Sequence, residues 1–123
     1  MNSKKAYEFA LVHGPSKDTR EIACEDSKYA YWYARDIDKC SRDDTREATY
    51  KDPYYAHLYA RDIDKKPRND TRKAACEDPK YAYMYAKDVD KGFHEDTWEA
   101  TKNTEFEEKY NKFLNQIEKD KII

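Results

Sequence analysis

The stretch Asp70-Thr71-Arg72-Lys73-Ala74-Ala75-Cys76-Glu77-Asp78-Pro79-Lys80-Tyr81-Ala82-Tyr83-Met84-Tyr85-Ala86-Lys87-Asp88-Val89-Asp90-Lys91 decides the architecture of this chain, because it is one copy of a repeated unit. Asp-Thr recurs at Asp18-Thr19, Asp44-Thr45, Asp70-Thr71 and Asp96-Thr97, 26 residues apart each time. Between residues 18–43 and 70–95, 16 of 26 positions are identical. A fixed period of this length is the signature of stacked helical units, each burying its apolar face against its neighbours.

Each unit carries two helix-start signals. The first is Asp-Thr-Arg-Glu at Asp18–Glu21 and Asp44–Glu47, with Asp-Thr-Trp-Glu at Asp96–Glu99. Asp at N-cap with Glu at N3 reads as a capping box, halved in the third unit where Lys73 replaces the Glu. The second signal is Asp26-Ser27, Asp52-Pro53 and Asp78-Pro79, an Asp cap followed by a residue suited to N1. Two starts per unit predict a short helix A, near residues 19–25, and a longer helix B, near 27–38. On helix B, Tyr29, Ala30, Tyr33, Ala34 and Ile37 form one helical stripe. Small Ala lets helices approach closely, while Tyr supplies buried area and keeps a polar tip. On helix A the inward columns are Ile22/Ala48/Ala74/Ala100 and Ala23/Thr49/Ala75/Thr101.

The ends depart from the pattern, as the ends of an array should. Ala6-Tyr7-Glu8-Phe9-Ala10 matches Ala30-Tyr31-Trp32-Tyr33-Ala34 and reads as a lone helix B over residues 4–13. Phe106, Tyr110, Phe113, Leu114 and Ile117 mark a longer, more aliphatic C-terminal cap behind a capping box at Thr104–Glu107. The expectation is a single all-α domain over residues 1–123. It is an α-solenoid of about four helix-turn-helix repeats, at 18–43, 44–69, 70–95 and 96–121, flanked by the half repeat and the cap.

Composition narrows the function. The 24 Lys and Arg nearly cancel the 26 Asp and Glu, so neither a polyanion binder nor a mimic of DNA charge is indicated by the total. Of three Cys, Cys24 and Cys76 lie two units apart and Cys40 lies in a connecting loop. They read as reduced thiols. No Cys-x-x-Cys or paired-His spacing suggests zinc, and two Gly cannot build a phosphate loop, so no metal or cofactor is expected. No apolar run follows Met1–Lys5 to make a signal peptide, and none is long enough for a membrane span, so a cytoplasmic protein is expected. An enzyme would have to rest on Cys40 and a loop histidine, His13 or His94.

Arg35/Arg61/Lys87, Asp36/Asp62/Asp88, Asp38/Asp64/Asp90 and Lys39/Lys65/Lys91 form charged columns, read as ion pairs and caps linking successive units, with Arg20/Arg46/Arg72 as further members. Positions that vary inside the constant frame hold the candidates for recognition. Trp32/Leu58/Met84/Tyr110 make one column and Tyr31/His57/Tyr83/Lys109 another. Tyr54 stands between Lys28 and Lys80, and Trp98 replaces the Arg of its column. Tyr31, Trp32, His57, Leu58, Tyr83, Met84, Tyr54 and Trp98 are therefore the candidate protein-binding residues, of residue types favoured at interfaces. Packing between units that merely tolerates size is the competing account of them.

The core Tyr-Ala-x-x-Tyr-Ala-[Arg/Lys]-Asp-[Ile/Val], at Tyr29–Ile37, Tyr55–Ile63 and Tyr81–Val89, resembles a family of short helical repeats in proteins of bacteria and large DNA bacteriophages. The similarity covers about residues 6–103. Family copies often end in a Gly-Arg-aromatic-Pro-Glu loop, from which Lys91-Gly92-Phe93-His94-Glu95 departs. The resemblance implies an α-solenoid of phage origin and carries over no catalytic residue. Together these readings predict a non-enzymatic protein-interaction module, acting as an inhibitor of one host defence or metabolic protein. The alternative is a nucleic-acid-associated or nucleotide-binding protein using tyrosine stacking and the Arg/Lys columns.

Overall fold

The repeat folds as alternating short and long helices. A computed structural model describes residues 1–122; the last residue of the expected domain, Ile123, lies outside the described residues. Among them are nine α-helices and no strand. The A-type helices are α2 (Lys17–Ala23), α4 (Asp43–Ala48), α6 (Asn69–Ala75) and α8 (Glu95–Thr101). The B-type helices are α1 (Ser3–His13), α3 (Ser27–Tyr33), α5 (Pro53–Tyr59), α7 (Pro79–Tyr85) and α9 (Phe106–Lys121). Each B helix packs on the A helix that follows it and on the next B helix, so the array is an α-solenoid.

The B helices start as expected. Asp26, Asp52 and Asp78 accept from the backbone N–H of Lys28, Tyr54 and Lys80, and Pro53 and Pro79 fill N1. The A helices do not. Asp18, Asp44, Asp70 and Asp96 are not N-caps but lie in the first turn, each the second residue of a helix that begins one residue earlier. The cap positions are Ser16, Arg42, Arg68 and His94, and neither Arg caps with its own side chain. A buried tyrosine does the capping instead. The Tyr59 hydroxyl accepts from the Arg42 N–H at 3.0 Å, donates to the Arg42 carbonyl at 3.1 Å and shares a hydrogen bond with Thr45 at 2.7 Å. Tyr33 repeats this with Ser16 and Thr19, Tyr85 with Arg68 and Thr71, and Tyr110 with His94 and Thr97. The displaced aspartates keep a role, since negative charge is stabilising near a helix N-terminus.

Helix B also ends differently from expectation. Its last turn, Ala34–Asp38, Ala60–Asp64 and Ala86–Asp90, is π-helical and closes on Lys39, Lys65 and Lys91 in the left-handed region at φ 56°. With the chain ended in this way, Asp38, Asp64 and Asp90 meet the A helix of their own unit. Arg46 grips Asp64 through Nε and Nη2 at 3.0 and 2.7 Å, and Arg20–Asp38 and Arg72–Asp90 repeat the grip. Each guanidinium lies 5.5–5.7 Å from the centre of the capping tyrosine ring. These pairs were expected between units; they lie within them.

The interior is thus alanine, tyrosine and satisfied polar groups. Ala30, Ala34, Ala56, Ala60, Ala82 and Ala86 are wholly buried, as are Tyr33, Tyr59, Tyr85 and Tyr110. A buried aromatic removes on the order of 150–250 Å² from water, which offsets the scarcity of Leu and Val. The C-terminal layer loses one residue: Thr97–Tyr110 spans 13 residues where the other pairs span 14. Tyr110 therefore joins the Tyr33/Tyr59/Tyr85 column, not the Trp32/Leu58/Met84 column to which a strict 26-residue count assigns it. At the other end Phe9, the counterpart of Tyr33, is exposed and stacks on His13 at 4.0 Å.

Candidate interaction surface

The eight candidate residues divide by burial. Tyr31, His57 and Leu58 are 3%, 0% and 7% exposed, so the folded chain offers them to no partner. Trp32, Tyr83, Met84 and Trp98 are half-buried, and Tyr54 is exposed. The competing account, packing that tolerates size, holds for the buried three.

Their packing has a polar logic. Tyr7 donates to Asp36 at 2.6 Å and Tyr31 to Asp62 at 2.5 Å, each reaching the B helix of the next unit. His57 takes the same place opposite Asp88, with Nε2 at a looser 3.3 Å. Its Nδ1 is buried and has no hydrogen-bond partner among the described residues. The series stops at Tyr83, because Phe113 stands where the next aspartate would fall. Tyr83 stacks on Phe106 at 6.3 Å instead. Burial, reinforced by the neighbouring carboxylates, pushes the Tyr7 and Tyr31 hydroxyls up to about 12, so they act as donors and not as bases. Arg35 and Arg61 fork onto Asp36 and Asp62. The Arg35 hydrogen bonds hold Asp36 below the usual carboxylate range. For Asp62, burial works the other way, but Arg61 and Tyr31 outweigh it.

Trp98 also has a structural explanation. The layer that lacks the buried Arg lacks its Asp as well, since Asn115 falls at that place, and the indole packs edge-on against Tyr110 at 5.3 Å. An arginine there would have no buried carboxylate to meet. Sequence reasoning grouped these Arg and Asp columns as ion pairs but set them between units, and so did not connect them with the exchange at Trp98. The signal available was the simultaneous loss of both residues in the last unit.

What remains at the surface lies on the B helices. Trp32 meets Tyr29 at 5.4 Å and Tyr7 at 5.7 Å, with the Lys28 ammonium 4.7 Å over its ring. Tyr54 meets Tyr55 at 4.9 Å and Tyr81 at 5.4 Å, with Lys80 5.5 Å over Tyr81. An aromatic row with lysine edges therefore crosses successive units. Toward the B-helix ends, Arg35, Arg61 and Lys87 expose one basic column and Lys39, Lys65 and Lys91 a second. The A helices carry the opposite sign, with exposed columns of Glu21, Glu47 and Glu99 and of Asp18, Asp44 and Asp96, broken by Lys73. The near-neutral total conceals a basic B face and an acidic A face.

Burial, with Asp44 or Asp96 adding to it, pushes the Cys24 and Cys76 thiols up to about 11, so they are weak nucleophiles at neutral pH. Cys40 is exposed beside Arg35 and Lys39, in a cleft no histidine lines. Among the described residues no cluster of His, Cys, Asp or Glu could hold a metal ion, and no helix is long and apolar enough to cross a membrane. No protein-family model, curated protein or solved structure matches the chain.

Proposed function

We propose that this chain is a non-enzymatic protein-interaction module that engages one partner protein through the surface of its B helices. The row of half-exposed aromatic residues edged by lysines, centred on Trp32 and Tyr54, carries this reading. Tyr and Trp on a rigid frame supply large contact area at low entropic cost, and interface hot spots are enriched in them. The interior tyrosines, arginines and aspartates are committed to the stack, which leaves recognition to the side chains exposed on its surface. The repeat pattern's likeness to phage and bacterial proteins gives the proposal its specific form: a phage-encoded inhibitor acting in the host cytoplasm on a defence or metabolic protein.

Affinity capture from bacterial lysate with mass spectrometry tests it, comparing the native chain with Trp32→Ala/Tyr54→Ala. Native protein is expected to enrich one partner, and the double variant to lose it by at least about tenfold, the effect of ~1.4 kcal/mol. Capture of no specific protein, or equal capture by the variant, would sink the reading.

A further inference from the structure

Two clefts of the same kind open between the ends of successive B helices. The first, about 170 Å³, is walled by Arg35, Lys39 and Lys65 with Asp62 at its side. The second, about 250 Å³, is walled by Arg61, Lys65, Lys66 and Lys91 with Asp88 at its side. Lys65 belongs to both. Three of these lysines, Lys39, Lys65 and Lys91, sit at left-handed positions that end each π turn, so the fold itself sets their spacing.

Resting on the protein-interaction reading, we propose that these clefts are paired docking sites for an extended acidic segment of the partner polypeptide. Arg35 is held by Asp36 and Arg61 by Asp62, so the excess positive charge is that of the lysines: Lys39 and Lys65 in the first cleft, and Lys65, Lys66 and Lys91 in the second. In the first, moreover, Asp62 is already engaged by Arg61 and Tyr31. Spacing adds to charge. Helices in contact pack about 8–10 Å apart. A polyproline II segment returns to the same face every third residue, about 9 Å along its axis. Acidic side chains three residues apart thus match clefts one unit apart. The second cleft distinguishes a peptide from nucleic acid. Among the described residues Asp88 has only the 3.3 Å contact with His57, while its neighbour Lys87 lies over the Tyr83 ring. A peptide backbone brings N–H donors for Asp88 together with carboxylates for the lysines. A DNA phosphodiester brings no donor and would set another anion against that carboxylate.

The test is fluorescence anisotropy with the full chain and a labelled peptide repeating Glu-Pro-Pro, alongside its Gln-Pro-Pro analogue and a labelled oligothymidylate. Binding is expected for the Glu peptide, weakening as salt rises, and for neither control at physiological salt. Lys65→Asn removes the shared charge while keeping a residue that tolerates the left-handed backbone, and should weaken the Glu peptide about tenfold. Lys39→Gln and Lys91→Gln should each give a smaller loss. No binding of the Glu peptide, equal binding by Lys65→Asn, or tighter binding of oligothymidylate would overturn the proposal. A lysate partner captured equally by native chain and Lys65→Asn would remove the clefts as its site while leaving the interaction module intact.

Discussion

At the scale of single residues, the most informative pairs are those the fold cannot solvate. Arg46 and Asp64 have side chains 6% and 1% exposed. Removing one member of a buried pair strands the other and costs about 3–5 kcal/mol, whereas replacing both by apolar groups is often tolerated. Arg46→Met should therefore lower the urea midpoint sharply, and Arg46→Met/Asp64→Leu should recover most of the loss. His57 makes a different prediction. Burial holds its pKa below the ordinary value, against the pull of Asp88, with Arg61 adding to the depression. Asp62 faces it as a second anion, and the Tyr81 ring lies 6.2 Å away. The unfolded chain therefore takes up a proton at His57 at higher pH than the folded chain does. The joint is at full strength above about pH 6.5 and weakens as pH falls below it. Asp36 and Asp62, held low, do not titrate in this range. Denaturation at about pH 7.5 and about pH 5.5 should show a falling midpoint for the native chain and a flat one for His57→Tyr, which restores the donor used at Tyr31. An equal fall in both would place the acid sensitivity elsewhere.

At the scale of elements, the B helix is defined by how it starts and how it stops. Asp52 caps α5 by accepting from the Tyr54 N–H at 3.0 Å, and Asp52→Ala should cost about 1 kcal/mol in thermal or urea melts. At the other end, a lysine with φ 56° bears a left-handed penalty of roughly 1–2 kcal/mol, partly offset in any exchange by the entropy of glycine. Lys65→Gly should stabilise the array by about 0.5–1 kcal/mol. A destabilised Lys65→Gly would show that the lysine side chain contributes to the turn. The helix pattern from Tyr55 to Tyr59 is legible in sequence because the 3.6-residue stripe is local. The π turn is not: it sets Asp64 against Arg46, eighteen residues earlier, a contact beyond the reach of any local pattern.

At the scale of the whole molecule, stability in a stacked array is a sum over neighbouring interfaces, so the ends hold less than the middle. Helix α1 leaves Phe9, Leu11 and Val12 exposed. In α9 only Tyr110 is fully buried. Native-state hydrogen exchange should find the slowest amides in α5 and the helices against it, and the fastest in α1 and the end of α9. Uniform protection along the chain would mean that the array opens only as one unit.

The sequence by itself determined that the chain is helical, where each unit recurs, and which face of each B helix turns inward, because period and capping are properties of short stretches. It also singled out Trp32, Tyr54, Tyr83 and Met84, which the fold leaves partly open. The tertiary structure alone decided that Tyr31, His57 and Leu58 are interior, that tyrosine hydroxyls rather than aspartates cap the A helices, and that opposite charges separate onto two faces. Each of these depends on contacts between residues about 14 to 31 positions apart. The physical reason is that a side chain's solvent exposure is set by what packs over it, and in a repeat that is the neighbouring unit.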